Sequence, residues 1–172
     1  MRCEECGFDP ESVSPEAAPA ALRRFGPRYR APLTRLLAGE DGHDVLSRRP
    51  QPQVWSAVEY AAHVRDVFEL FDRRIAQVLA EDDPELEVID HDAVVAERRY
   101  RELDATAVAE ELAAAAERLA RTLESLGPGD WDRTGRREGE PRSVVEIARR
   151  AVHEGSHHLL DVGRVLRNVR GR

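Results

Sequence analysis

Two capping boxes, Ser56–Glu59 and Ser143–Glu146, mark the predicted starts of long helices. In a capping box the serine hydroxyl and the glutamate carboxylate each satisfy a backbone amide that has no partner within the helix. Apolar residues recur at three- and four-residue steps after each box, and the same spacing occurs over residues 15–37 and 106–126. No segment has a clear two-residue alternation. We therefore expect an all-α protein, a four-helix bundle with a long connection between its second and third helices.

The connections hold two histidines for which the sequence indicates no functional role. His43 lies in a polar linker between the first and second helices. His91 begins a short helix expected over residues 91–101, and is interpreted as a surface or capping residue. Neither is predicted to belong to a site.

Length and charge exclude several classes of protein. The 172 residues fit one bundle domain, residues 15–170, after an N-terminal extension, residues 1–14. The formal net charge of -7 argues against a nucleic-acid partner, because nucleic-acid binders present a basic surface. The first residues lack a secretory signal, and no apolar run reaches the roughly 18 residues of a membrane span. We expect a cytoplasmic protein with no membrane partner.

The last predicted helix carries two interleaved pairs of metal-ligating residues, His153 with His157 and Glu154 with His158. Residues four apart share a helix face, so either pair could reach one metal ion. Projected at about 100° per residue, His153 and His157 fall nearly opposite the apolar face, where a solvated surface is the simpler interpretation. Glu154 and His158 fall on the flank of the apolar face. The second pair is therefore favoured, and the first is the alternative.

His63 has the same flanking position on the second predicted helix. With Glu154 and His158 it would supply two imidazoles and one carboxylate, a ligand set of catalytic zinc sites that leaves a fourth position open. Asp161, one turn beyond His158, could accept a hydrogen bond that orients that histidine. The competing interpretation is an ordinary histidine–glutamate ion pair at the seam of the bundle.

Cys3 and Cys6 form a single C-x-x-C motif in the N-terminal extension. A structural zinc site needs four ligands and no second C-x-x-C follows, so such a site would have to borrow ligands, such as a histidine, from elsewhere. A redox role is the other functional interpretation. Free or packed thiols in a terminal segment are the simplest one.

Three short motifs resemble those of a known family. Trp55-Ser56 precedes His63 by seven residues, residues 153–161 match the pattern H-E-x-x-x-H-x-x-D, and residues 130–135 form a loop that contains tryptophan. With these motifs, residues 20–169 resemble the DinB/YfiT-like superfamily of four-helix metal-binding proteins. Within it, they are most similar to the N-terminal domain of mycothiol-dependent maleylpyruvate isomerase.

The resemblance implies a DinB/YfiT-like bundle in which His63, Glu154 and His158 bind a divalent metal, zinc most often and nickel in some members. Other members place three histidines at this site, which keeps the alternative register open. In the isomerases the metal activates a low-molecular-weight thiol. The resemblance therefore implies a metal-dependent S-transferase or isomerase that takes a mycothiol-like cosubstrate and an electrophilic small molecule.

One further expectation concerns how such an enzyme holds its substrate, and one alternative hypothesis concerns a protein without catalysis. Arg133 or Arg136 would hold a carboxylate of the substrate or the thiol, because guanidinium groups bind carboxylates in a two-point geometry. The alternative hypothesis is a non-catalytic metal-binding stress or interaction protein, whose function would depend on a surface such as that of a homodimer.

Overall fold

The apolar stripes of the long helices meet in one core in the computed structural model, which describes residues 2–171. Its elements are α1 (Ala18–Arg23), α2 (Phe25–Thr34), α3 (Gly42–Ser47), α4 (Ala57–Ala80), α5 (His91–Glu97), α6 (Ala105–Glu124), β1 (Thr134–Arg137), β2 (Glu140–Ser143) and α7 (Val144–Val169). Helix α4 packs against α6 and α7, and α1 with α2 together pack across both of those helices. The predicted four-helix bundle is confirmed.

Both capping boxes begin helices at the predicted serines. The amide of Ser56 donates to Glu59 Oε2 at 2.7 Å, and the amide of Ser143 donates to Glu146 Oε2 at 2.8 Å. Glu59 is buried, and its charge is compensated by Arg49, whose Nε lies 2.8 Å from Oε2. The starts of α4 and α7 are therefore fixed by local hydrogen bonds, and these two helices carry the predicted metal ligands.

The first helix of the bundle is divided into α1 and α2 around Arg24, near the Gly26-Pro27 interruption in the sequence. Gly26 faces α6 closely, since a Cβ at that position would lie 3.1 Å from Cβ of Ala113. Helix α2 ends at Thr34, three residues before the end predicted from the leucine spacing, because Arg35 has an extended backbone. Within residues 2–171, no helix has the length and apolar character needed to cross a membrane.

A short β-hairpin, β1 with β2, precedes α7 and was not predicted from the sequence. Glu138 and Gly139 form its turn with positive φ of 55° and 80°, a conformation that hairpin turns of two residues require. Strands of four residues are too short for alternation to be a clear signal, which explains why sequence analysis missed them.

The hairpin region holds Arg133 and Arg136 in contacts with the end of α4 and the loop after it. Arg133 donates from Nε to the carbonyl of Val78 at 3.0 Å, near the end of α4, and Arg136 pairs with Asp83 at 2.7 Å. Val78 lies fifteen residues beyond His63, about 22 Å along the helix at a rise of about 1.5 Å per residue. The structure therefore does not bring these two arginines to the predicted metal ligands.

Candidate metal centre

Helices α4 and α7 bring His63, Glu154 and His158 together at their shared seam. One ligand atom from each residue lies within 4.8 Å of the other two. Oε2 of Glu154 is 3.7 Å from Nε2 of His63 and 3.2 Å from Nε2 of His158. The favoured register of the sequence analysis therefore places its three residues around one point, because the i, i+4 pair on α7 faces the second turn of α4.

Glu154 carries its charge in a buried position. The residue is 8% exposed, and its other oxygen, Oε1, lies 2.6 Å from the guanidinium of Arg150 one turn earlier. Burial alone would raise the pKa of this carboxyl, but hydrogen bonds from His158 and His63 and the charge of Arg150 lower it well below its ordinary range. Glu154 is therefore an anion at neutral pH, as a metal-binding carboxylate must be.

His158 is held by carboxylates on both sides of its ring. Nδ1 donates to Oδ2 of Asp161 at 3.0 Å, while Nε2 faces Glu154. Burial lowers the pKa of His158, but the hydrogen bonds to Asp161 and Glu154 outweigh it and raise the pKa to about 9. Asp161 is itself fixed by Arg164 at 3.0 Å. The Nδ1 contact leaves Nε2 as the nitrogen that can bind a cation after the ring loses a proton.

Aromatic side chains enclose the two imidazoles. Trp55 lies 5.2 Å from the ring of His63, centroid to centroid, and Tyr60 stacks on His158 at 5.3 Å. Trp55 belongs to the family motif in the sequence, whereas Tyr60 was not predicted to belong to the site. Tyr60 lies one turn after the start of α4, and the helical spacing alone predicts that its ring packs in the core.

His91 also belongs to this site, contrary to its interpretation as a surface or capping residue. Its ring meets that of His63 edge-on at a centroid distance of 4.7 Å. The capping role belongs to Asp90, whose carboxylate accepts from the amide of Ala93 at 3.1 Å. Burial and the neighbouring His63 lower the pKa of His91, so this ring is neutral at pH 7 and can accept a proton. No periodic signal could identify it, because it lies in the connection between α4 and α6.

The alternative register, His153 with His157, forms a second cluster on another side of α7. Both histidines are half-buried rather than solvated, because Phe8 and Cys3 of the N-terminal extension lie against them. Their ring nitrogens and the sulfurs of Cys3 and Cys6 all lie within 4.8 Å of one another. The amide of Cys6 and the ring of His153 lower the pKa of Cys3 to about 6, whereas burial raises the pKa of Cys6.

A third combination, His157, His158 and Asp161, also satisfies the spacing for a metal ion. It takes one histidine from each of the other two clusters, so it competes with both. A separate cleft of about 430 Å³ lies against α6 and is lined by Arg23, Arg30 and Glu117 among others. That cleft includes none of the candidate ligands.

The comparisons with known proteins bear on the family and the fold. The sequence model of the DinB superfamily matches residues 28–162. The chain is also similar to the solved structure of YfiT from Bacillus subtilis, described as a probable metal-dependent hydrolase with an unusual four-helix bundle topology. The TM-score is 0.81 at 15% sequence identity, with 91% of this chain and 90% of YfiT covered, and this likeness shows the fold. The comparison with curated proteins gave no match. Because the superfamily match spans well over half of the chain, this chain belongs to the DinB superfamily.

Proposed function

We propose that this protein is a divalent-metal-dependent enzyme whose metal is held by His63, Glu154 and His158. The observation that carries the proposal is the convergence of these three ligand atoms within 4.8 Å at a buried helix seam. His63 and Glu154 are buried and His158 is half-buried, and such groups are costly to bury unless they are paired or bound to a cation. The donor set fits zinc, and nickel as the second choice.

The chemistry of the donor set favours catalysis over a purely structural metal. Three protein ligands leave a tetrahedral ion with one open position, whereas structural zinc sites are closed by four. A divalent cation in this position would lower the pKa of a thiol or water that it binds and so make a nucleophile available near neutral pH. The protein's other contributions to the proposed catalysis would come from the residues around the metal ligands.

Arg150 and Asp161 act as positioning residues for the ligands. Arg150 holds one oxygen of Glu154 at 2.6 Å and leaves the other directed at the two histidines. Asp161 accepts from Nδ1 of His158 at 3.0 Å and so fixes the tautomer that presents Nε2. Both contacts reduce the motion of the donor atoms and thereby favour one binding geometry.

We assign the role of proton acceptor to His91, which the sequence alone did not place at the site. It contacts His63, and its lowered pKa keeps one ring nitrogen free at neutral pH. A general base close to the metal would take the proton of the nucleophile as it binds or attacks. A base in this position would serve an enzyme, whereas a non-catalytic metal-binding protein would not need one.

The nucleophile that we assign is a low-molecular-weight thiol of the mycothiol type, with an electrophilic small molecule as its partner. Support comes from the Trp55-Ser56 and residue 153–161 motifs, which resemble those of the mycothiol-dependent isomerases. The thiolate would attack an electrophilic carbon and form a carbon–sulfur bond. In S-transfer the bond from that carbon to a leaving group would break, and the group would depart with the electron pair. In isomerisation the thiolate would add to a carbon–carbon double bond, whose electron pair would move to the neighbouring atoms, and it would be expelled again after rotation about the resulting single bond. The thiol proton would leave to His91.

Hydrolysis is the second candidate function, with water in place of the thiol. The description of YfiT as a probable metal-dependent hydrolase favours it. Two imidazoles and one carboxylate are also the ligand set of zinc peptidases. The base, His91, and the three ligands would serve water equally well, so the two functions differ in their substrates and not in the residues that carry them.

Metal analysis tests the ligand assignment first. Protein purified without a histidine tag should lose one metal equivalent in Glu154→Ala and in His63→Ala. His43→Ala is the matched control, because His43 is exposed in α3 and should leave the metal content unchanged. Full metal content in Glu154→Ala would refute the assignment.

Activity assays then separate the candidate functions. The metal-loaded protein is mixed with a panel of electrophiles, with and without bacterial thiols, and separately with ester and amide substrates. Thiol-dependent loss of an electrophile supports S-transfer, and thiol-independent cleavage supports hydrolysis. Inertness across both panels with the metal in place would favour the non-catalytic alternative.

A further inference from the structure

The N-terminal extension follows one side of α7 over several helical turns. The guanidinium of Arg149 donates to the carbonyl of Val13 at 3.0 Å, and Arg164, about four turns later, donates to the carbonyl of Glu5 at 3.3 Å. Between them, the ring of Phe8 packs on His153 at a centroid distance of 5.3 Å. The extension therefore covers the face of α7 that carries the alternative pair of histidines.

A tight turn directs both cysteines to the same side of the extension. The amide of Cys3 donates to the carbonyl of Phe8, and the amide of Gly7 donates to the carbonyl of Cys3, each at 2.8 Å. Gly7 has φ of +71°, which side chains other than glycine rarely adopt. The C-x-x-C-G sequence is thus folded as a hydrogen-bonded loop, a geometry that allows two sulfurs to reach one ion.

The sulfurs meet the two histidines in a compact group. One donor atom from each of Cys3, Cys6, His153 and His157 lies within 4.8 Å of all the others. Sγ of Cys3 is 3.7 Å from Nδ1 of His157, and both cysteines are free thiols. Nε2 of His153 is buried without a hydrogen-bond partner among the described residues. A buried ring nitrogen needs a partner, and a cation bound by this group would supply one.

We propose that Cys3, Cys6, His153 and His157 form a structural zinc site that fastens the N-terminal extension to α7. Two thiolates and two imidazoles are a closed four-ligand set for zinc, and the spacings C-x-x-C and H-x-x-x-H are those of such sites. This site is distinct from the proposed catalytic centre, which has three ligands and no sulfur.

The surroundings of His157 add a second line of support. Its Nδ1 faces the sulfur of Cys3, whereas its Nε2 lies 3.2 Å from a carboxylate oxygen of Glu5 and 3.6 Å from one of Asp161. Histidines that bind a metal through one nitrogen commonly donate the other N–H to a carboxylate. The ring of His157 is oriented in this way.

Metal stoichiometry and cobalt spectroscopy test the proposal. Tag-free protein purified with a reductant should hold two zinc equivalents, and Cys3→Ser/Cys6→Ser should lose one of them. Glu154→Ala is the matched variant, which should lose the other equivalent and keep the thiolate site. This pair makes failure of the zinc proposal distinguishable from failure of the proposed function.

Cobalt(II) reconstitution of the wild type needs no variant and so does not depend on how well one folds. The wild type and Glu154→Ala should both give thiolate-to-cobalt charge-transfer absorption in the near ultraviolet. Absence of that absorption in the wild type would overturn the proposal. Unchanged zinc content in Cys3→Ser/Cys6→Ser, or recovery of the two cysteines as a disulfide from reducing conditions, would overturn it as well.

Discussion

The substitution Gly155→Ala tests the packing of α7 against α2, which helps to position the candidate metal centre. It follows Glu154 on α7, and a Cβ built there would lie 2.6 Å from Cε2 of Phe25, at the junction of α1 and α2. Carbon atoms in contact normally lie about 3.5–4.0 Å apart, so Gly155→Ala requires the ring to move by about 1 Å. Phe25 is 2% exposed and packs on Phe68 at 5.9 Å, which leaves little room for that movement.

Two effects of opposite sign determine how much Gly155→Ala changes the free energy of unfolding. Replacing glycine by alanine inside a helix stabilises it by about 1 kcal/mol, because glycine loses more backbone freedom on folding. Forcing an additional methyl group into a filled core costs about 1–3 kcal/mol. Gly155→Ala should therefore lie between neutral and about 2 kcal/mol less stable than the wild type.

Gly163→Ala on the same helix is the matched control. The nearest contact of the new methyl group would be the flexible end of Arg167 at 3.5 Å, which is an ordinary distance. This variant should therefore gain the whole stabilisation of about 1 kcal/mol that alanine gives over glycine in a helix. The difference between the two variants isolates the overpacking, about 1–3 kcal/mol. Thermal unfolding should show it as roughly 2–4 °C for each kcal/mol in a chain of this size. Equal stability of the two variants would refute the packing of Phe25 against α7.

Three further predictions address protons and hydrogen bonds. In Cys3→Ser/Cys6→Ser, which lacks the thiols of the second cluster, metal binding at pH 7 should release close to one proton from His158, whose pKa is raised to about 9 by Asp161 and Glu154; calorimetry in two buffers measures this, and release that persists unchanged above pH 9 would contradict it. Burial raises the pKa of Glu59, but Arg49 and Ser56 lower it below its ordinary 4.5. Its contribution to the free energy of unfolding should be present above pH 4.5 and lost as the pH falls through the lower folded-state pKa, and Glu59→Gln should remove that part of the pH profile. Tyr29→Phe should cost about 1 kcal/mol in urea unfolding, because the hydroxyl donates to the buried carbonyl of Gly155 at 2.9 Å; an unchanged midpoint would contradict this.

The bundle could be predicted because its signals are local. Capping boxes at Ser56 and Ser143 and apolar residues at helical spacing act within one helix, and the two starts were found at the predicted residues. The position at which the first helix divides and the hairpin before α7 were harder to predict from the sequence. The end of α2 at Thr34 and the turn at Glu138 depend on single backbone conformations, which periodicity does not report.

The convergence of the predicted ligand residues could be predicted because helical projection identifies which residues share a face of a helix. It placed Glu154 and His158 beside the core and His153 with His157 away from it, and the structure has the same division. Projection does not reveal what covers a face that points away from the core. That face was interpreted as solvated, whereas the N-terminal extension packs on it. His91 was missed for a related reason, since its contact with His63 joins the first residue of the short helix α5 to α4.

Under the two proposals made above, the two registers on α7 bind separate ions rather than being alternatives, and Asp161 links them. Neighbouring residues on a helix point about 100° apart, so His157 turns to the extension while His158 turns to α4. One oxygen of Asp161, Oδ2, lies 3.0 Å from Nδ1 of His158 and 3.6 Å from Nε2 of His157. A cation bound at either cluster would orient its histidine and hence this carboxylate. Because the same oxygen serves the other histidine, occupation of one cluster should change the affinity of the other, and linkage requires the two changes to be equal.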